Sequence, residues 1–268
     1  MQPQQDAMHV IRIFARYMGQ YFKTRFAYRT DFLSDLFSNL VSEMMNLVFI
    51  LVVFQHVPFM NGWSRDEIIF IYGFFLVPYA LYSMFFDFWD FNERYIIRGE
   101  MDRILTRPIH NLAQIVLESL SPDRIFGVIT GLLIMGYAAV RLDLEIAWYD
   151  PLVFLVLAVS ATLIYGGVYT AVAAISFFSD SKTGISPMIY NIQQYGRYPV
   201  DVYNHVIRFV LTYILPFAFV GVYPAAYFLR KETWYTYAAL TPVMGVIFFS
   251  LGVLIWNWGV KKYRGAGS

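Results

Sequence analysis

The chain has no cysteine, and that one absence removes disulfides, thiolate metal sites and cysteine nucleophiles together. Charge is scarce as well. Only 15% of residues are Asp, Glu, Lys or Arg, against about a quarter in soluble globular domains. No G-x-x-x-x-G-K-[ST] occurs, so the chain cannot cradle nucleotide phosphates in the usual P-loop way, and no ATPase activity is expected of it. His9, His56, His110 and His205 lie on separate loops without metal-ligand spacing and read as ordinary polar surface. Ser34, Ser38 and Ser42 recur every four residues with no histidine nearby, which fits helix packing rather than a hydrolase. Alternating ten-residue strands of a membrane barrel are missing. So is the short apolar run with a small-residue cleavage site that would mark a signal peptide to be removed. A net charge of +1 supplies no basic patch for nucleic acid.

What fills the space is apolar. Hydrophobic residues make up 58% of the chain and aromatics 19%, and several windows reach the roughly 20 apolar residues that cross a bilayer as a helix. The expected fold is an all-α polytopic membrane protein with six transmembrane helices. Residues 1–31 read as an amphipathic interfacial helix and elbow. There Val10, Ile13, Phe14, Tyr17, Met18, Tyr21 and Phe22 form an apolar face opposite Arg12, Arg16 and Lys23. Such a helix lies in an anionic leaflet, or alternatively binds a soluble partner. Residues 32–264 then hold the transmembrane domain, and Gly265 to Ser268 read as a cloning scar.

The expected spans are 36–57, 68–86, 124–140, 152–179, 208–229 and 233–260. Pro78 marks a kink in the second, and Gly127, Gly131 and Gly136 permit close packing of the third. Pro216 and Pro224 break the fifth; either it or the long sixth contains a short re-entrant turn. Residues 180–205, with Lys182, Gln193, Gln194, Arg197 and Asp201, read as an interfacial segment. Glu43 is the one carboxylate well inside a span. Burying its charge is costly, so it lines a transport pathway, makes a structural hydrogen bond or sits nearer the interface in a shifted register.

Between the second and third spans lies a charged island, 91–110, with the sequence FNERYIIRGEMDRILTRPIH. Arg94, Arg98, Arg103 and Arg107 face Glu93, Glu100 and Asp102 there, while Ile96, Ile97, Met101, Ile104 and Leu105 recur at helical spacing. Two readings fit: a surface that docks an apolar stripe and a charged rim onto a soluble partner, or a solvated loop with a surface helix. Gly99 can close one short helix as a C-terminal cap, Asp102 opens a second and Pro108 stops it. Arg98 and Asp102, one turn apart, are placed to pair. Lys and Arg set the orientation. With the N-terminus inside, sixteen of the twenty fall on the inner side and four on the outer, which predicts both termini and the island in the cytoplasm.

A basic interfacial helix, six spans, a cytoplasmic segment between the second and third, and no motif for energy conversion resemble the permease subunits of type 2 ABC exporters. The bacterial branch of about 260 residues with a separate ATPase is the most similar. The residues that carry the resemblance are IIRGEMDRILTRPIHNL at 96–112, GRYPVDVY at 196–203 and ILPFAFVGVYPAAYFL at 214–229. The resemblance implies a permease in the bacterial inner membrane, paired with a second permease chain, identical or related, and two ABC ATPase subunits. It implies no cofactor in this chain, with ATP and Mg on the ATPase. It further implies that Arg94, Ile97, Arg98, Gly99, Met101, Asp102, Leu105 and Arg107 form a coupling helix that transmits ATPase closure to the spans. Read from the residues alone, a proton-coupled secondary carrier or channel and a membrane anchor for a soluble assembly stay open as alternatives.

Overall fold

The computed structural model describes residues 19, 29–57, 59–178 and 185–263. The expected interfacial helix of the N-terminal segment and the terminal Gly265 to Ser268 lie outside them. Among the described residues, five helices are long and apolar enough to cross a membrane. They are α1 (Arg29–His56), α2 (Arg65–Phe85), α5 (Ile125–Arg141, led in by a 3₁₀ turn at Pro122–Arg124), α6 (Asp150–Ile175) and α10 (Tyr235–Val260). Shorter helices join them: α3 (Glu100–Leu105), α4 (Asn111–Glu118), α7 (Ile185–Gln193), α8 (His205–Phe209) and α9 (Val222–Phe228).

Local signals set the turns. Between α1 and α2, Phe59–Met60 pairs with Trp63–Ser64 around Asn61 and Gly62. Both turn residues have positive φ, 51° and 85°, the conformation a two-residue hairpin needs and Asn-Gly supplies. Ser64 then caps α2 by accepting from the Glu67 amide, and Glu67 returns a bond to the Ser64 backbone, a capping box that satisfies two otherwise orphan donors.

Helix α2 is the centre of the bundle, buried almost along its whole length, whereas α1 is largely exposed. Glycine decides how closely helices approach α2 and α6. A Cβ on Gly73 would lie 2.6 Å from the Met135 amide nitrogen, and one on Gly131 2.8 Å from the Gly73 carbonyl, so α2 and α5 touch backbone to backbone. Gly167, Gly245 and Gly252 do the same where α6 crosses α10. Of the three glycines expected to tighten the third span, Gly127 and Gly131 do so, but Gly136 faces open space.

The stretch 208–229 is not a continuous helix, which corrects the expected fifth span. A π-helical turn at Val210–Ile214 ends at Leu215, a short 3₁₀ turn covers Phe217–Val220, and α9 runs to Phe228. Its two ends lie on the same side of the bundle, beside the hairpin. Arg208 stacks over Trp234 at 5.7 Å, and Lys231 pairs with Glu67 at 2.7 Å and sits over Trp63 at 4.8 Å. Between them Phe217, fully buried, reaches down to the Tyr165 ring at 5.6 Å. Pro216 removes a backbone donor at the break, and the surrounding protein shelters the irregular backbone.

Residues 185–203, expected at an interface, instead run from one end of the bundle to the other. Tyr190 meets Trp89 near the island, Gln193 accepts from Tyr169, Arg197 donates to Asn46 of α1, and the Asp201 carboxylate accepts from the Trp63 indole at the hairpin. Hydropathy misleads here because the polar side chains point into protein, not lipid. Gln193 is fully buried and Arg197 nearly so, its guanidinium over the Phe75 ring.

Candidate functional site

The island is a folded layer across one end of the bundle. Past α2, a π-helical turn at Asn92–Ile97 leads to Gly99, whose φ of +72° reverses the chain into α3. Only glycine adopts that conformation without strain. The Gly99 amide donates to the Ile96 carbonyl, so Gly99 does close the first turn as its sequence position suggests.

Beneath this layer is an aromatic floor. Phe88, Phe91, Tyr95, Ile96, Met101, Ile104, Leu112 and Ile115 pack with Phe177 at the end of α6 and Trp256 of α10. The rings of Phe91 and Phe177 lie 5.1 Å and 5.0 Å from Trp256, whose indole donates to the Asn111 side chain at 2.9 Å. The island is therefore attached to the ends of α6 and α10, the two helices whose glycines fit most closely.

Above the floor sits one acid. The Glu118 side chain, only 6% exposed, takes Arg103 at 2.9 Å, Arg94 at 3.6 Å and Arg107 at 3.7 Å. It also accepts from the Tyr95 hydroxyl at 3.1 Å and the Gln114 amide at 3.0 Å. Burial, reinforced by the Glu118 charge, pushes the Tyr95 phenol above its usual range, so it stays a neutral donor. Arg94 also bonds Glu100 at 2.9 Å. These bonds fix α3 relative to α4.

The sequence-selected residues divide in two. Ile97 and Leu105, each 42% exposed, reach the surface with Arg98, Asp102 and Arg107 around them. Gly99 and Met101 shape the layer from inside, and Arg94 ties it to Glu100 and Glu118; Ile96, Met101 and Ile104 are buried and cannot meet a partner directly, which corrects their place on the expected apolar stripe. The expected Arg98–Asp102 pair does not form, because Arg98 reaches back to Glu93 at 3.4 Å. Sequence reasoning missed Glu118, Asn111, Phe177 and Trp256. One signal was present for the first: Glu118 is the lone acid of α4, an amphipathic helix whose buried face holds Leu112, Gln114 and Ile115.

Glu43 faces a groove of about 240 Å³ between α1, α2 and α5, shared with Asn39, Tyr79, Arg124 and Thr130. Its backbone carbonyl accepts from the Tyr72 hydroxyl at 2.9 Å.

In comparison with known families, residues 40–267 match the model of the ABC-2 family transporter proteins. No curated protein and no solved structure matches the chain.

Proposed function

The chain belongs to the ABC-2 transporter family, as a membrane permease subunit, and from that premise we propose that it moves substrate outward, driven by separate ATPase subunits that push on the island. The observation that carries this reading is the exposed side of the island. Ile97 before Gly99 and Leu105 at the end of α3 are apolar and exposed, Arg98, Asp102 and Arg107 are exposed beside them in sequence, and Met101 and Ile104 of α3 are buried in the cluster that holds Trp256 and Phe177. A push on the stripe would be conveyed to α6 and α10 rather than absorbed by a loose loop, since packed layers transmit displacement.

Six crossings complete the permease when residues 185–203 are taken as the fifth and 205–229 as a re-entrant excursion on the outer side. Arg208 then joins the outer charges and Arg197 the protein interior, which leaves fourteen Lys and Arg inside against five outside. That bias supports cytoplasmic termini and a cytoplasmic island. The assembly is two permeases, identical or related, with two ATPases that hold ATP and Mg, placed in the bacterial inner membrane. Glu43 lines the route of the substrate, supported by its facing a groove instead of lipid.

Single cysteines enter a background that has none. A cysteine at Asn61 is expected to label from outside only and one at Gly99 from inside only. An ATPase is expected to co-purify with the chain and to hydrolyse ATP faster when cargo is added. Reversed labelling, or transport by the chain without any ATPase, overturns the proposal.

A further inference from the structure

A large cavity lies beside the island, not on its docking face. It encloses about 800 Å³ between the end of α2, the start of α5, Tyr190 of α7 and the polar Asn39 of α1. Its walls are aromatic: Tyr79 and Tyr82 from α2, and the rim pair Trp89 and Tyr190, edge to face at 5.7 Å. Asp87 and Asp90 open into it. The Asp87 carboxylate accepts one bond, from the Trp89 amide at 3.3 Å, and neither acid has an ion pair among the described residues.

Two arginines also line the cavity, and both are already compensated. Arg94 is held by Glu100 and Glu118. Arg124 has a buried Nε without a hydrogen-bond partner, yet it stands in the field of both Asp87 and Glu43. The lining carries three carboxylates, Asp87, Asp90 and Glu118, against two guanidiniums, Arg94 and Arg124, a formal excess of one negative charge surrounded by π-faces. Burial raises the proton affinity of Asp87, opposed by the Trp89 amide and Arg124. A desolvated carboxylate of that kind is stabilised by an incoming cation, and aromatic faces attract the same charge. The cavity shares the walls Asn39, Tyr79, Ser83 and Arg124 with the groove of Glu43, where Leu36, Leu40 and Phe126 supply an apolar wall.

We propose that this cavity binds an organic cation carrying an apolar tail, the charged head between Asp87, Trp89 and Tyr190 and the tail along the groove between α1 and α5. The binding site stands on its own geometry. Its role as a cargo site rests on the export reading above.

The test uses the full chain in phosphatidylglycerol nanodiscs and dodecyltrimethylammonium as the probe. Dodecyl sulfate has the same tail with the opposite charge, and tetramethylammonium the same head without the tail. Saturable binding of the first, at least tenfold tighter than either control, is expected. Asp87→Asn is expected to weaken it tenfold or more and Trp89→Leu severalfold, while Asp87→Glu retains it and Leu105→Ala, on the docking face, leaves it unchanged. Adding phosphatidylethanolamine separates a membrane amine from dissolved cargo: competition assigns the site to the lipid headgroup, and its absence assigns it to a soluble amphiphile. Equal binding of dodecyl sulfate, or Asp87→Asn binding that matches the unaltered chain, overturns the site. If both Asp87 variants fail to insert, loss of probe binding in the inserted Trp89→Leu chain decides instead. Tight binding that neither stimulates the ATPase of the assembled complex nor accompanies transport supports the site and overturns its use for cargo.

Discussion

The two ends of the bundle are closed by different chemistry. At the hairpin end, rings and short caps interlock: Trp63 meets Trp234 at 6.1 Å, Tyr223 lies 5.1 Å from Trp234 and 4.5 Å from Tyr237, and Lys231 and Arg208 cover the indoles. At the island end, the aromatics lie underneath and a charged layer sits above them, with three arginines drawn onto Glu118. The hairpin end buries Trp63 and Tyr223 among its own rings and leaves Phe59 exposed. The island end leaves Ile97 and Leu105 outside while burying Met101 and Ile104 of the same stretch. On the docking reading, what sets the island end apart is that its exposed apolar residues stand among charged ones, Arg98, Asp102 and Arg107.

The sharpest way to break that contrast is to remove the post on which the island stands. Trp256 is fully buried among Phe91, Phe177 and Phe88 and bonded to Asn111. Trp256→Ala is expected to cost about 3–5 kcal/mol, the range for deleting a large buried aromatic. Because the cavity opens under α3, proteolysis should begin within the island before it begins at the hairpin. Thermal unfolding with time-resolved mapping of the cleavage sites checks this. Cleavage starting at the hairpin would mean that Trp256 does not hold the island.

The charged layer comes next. Glu118→Ala leaves Arg94, Arg103 and Arg107 without their common acid. Truncating one partner of a fully buried pair costs about 3–5 kcal/mol, but these arginines are 41–45% exposed, so solvent should reduce the loss to about 1–2 kcal/mol. The corresponding change at the other end, Lys231→Ala, removes a pair to Glu67 and a cation–π contact, and about 0.5–1 kcal/mol is expected. Only the first should make ATP hydrolysis insensitive to cargo. Equal losses of coupling from both variants would erase the distinction between the two ends.

Much of this contrast was legible in residue order, for reasons tied to particular positions. The long helices announce themselves because lipid tolerates few charges, and α1, α2, α5, α6 and α10 each carry a window of high hydropathy with at most two charged residues. Gly99 was legible because a positive φ has few alternatives to glycine. The crossing at 185–203 was not, since Gln193 and Arg197 carry their polarity into the protein interior, where a hydropathy scale scores them as if they faced lipid. The Glu118 hub was hidden for another reason. Its arginine partners lie 11 to 24 residues earlier in the chain, and helical spacing is informative only within about one turn. The same limit made Arg98 and Asp102 look like partners, although the bend at Gly99 swings Arg98 toward Glu93.

The smallest expected change in stability belongs to the docking face and separates folding from function most cleanly. Asp102 is exposed, with no ion pair among the described residues. Asp102→Arg therefore removes no internal bond. It does forfeit a favourable acid in the first turn of α3, worth about 0.3–1 kcal/mol at the surface, so inserted protein and its melting temperature should hardly change. At a desolvated interface the same reversal acts differently: a charge facing the wrong partner costs about 2–5 kcal/mol of binding, roughly 30-fold or more in ATPase retention. Leu105→Asp should behave alike by wetting the apolar stripe, whereas a reversal at the hairpin end, Arg230→Glu, breaks only its exposed pair with Glu145 at 3.1 Å and should leave retention intact. The measurement is ATPase retained per inserted permease. If all three variants hold the ATPase equally, the exposure of Ile97 and Leu105 has no docking function, and the island end is a closure like the other.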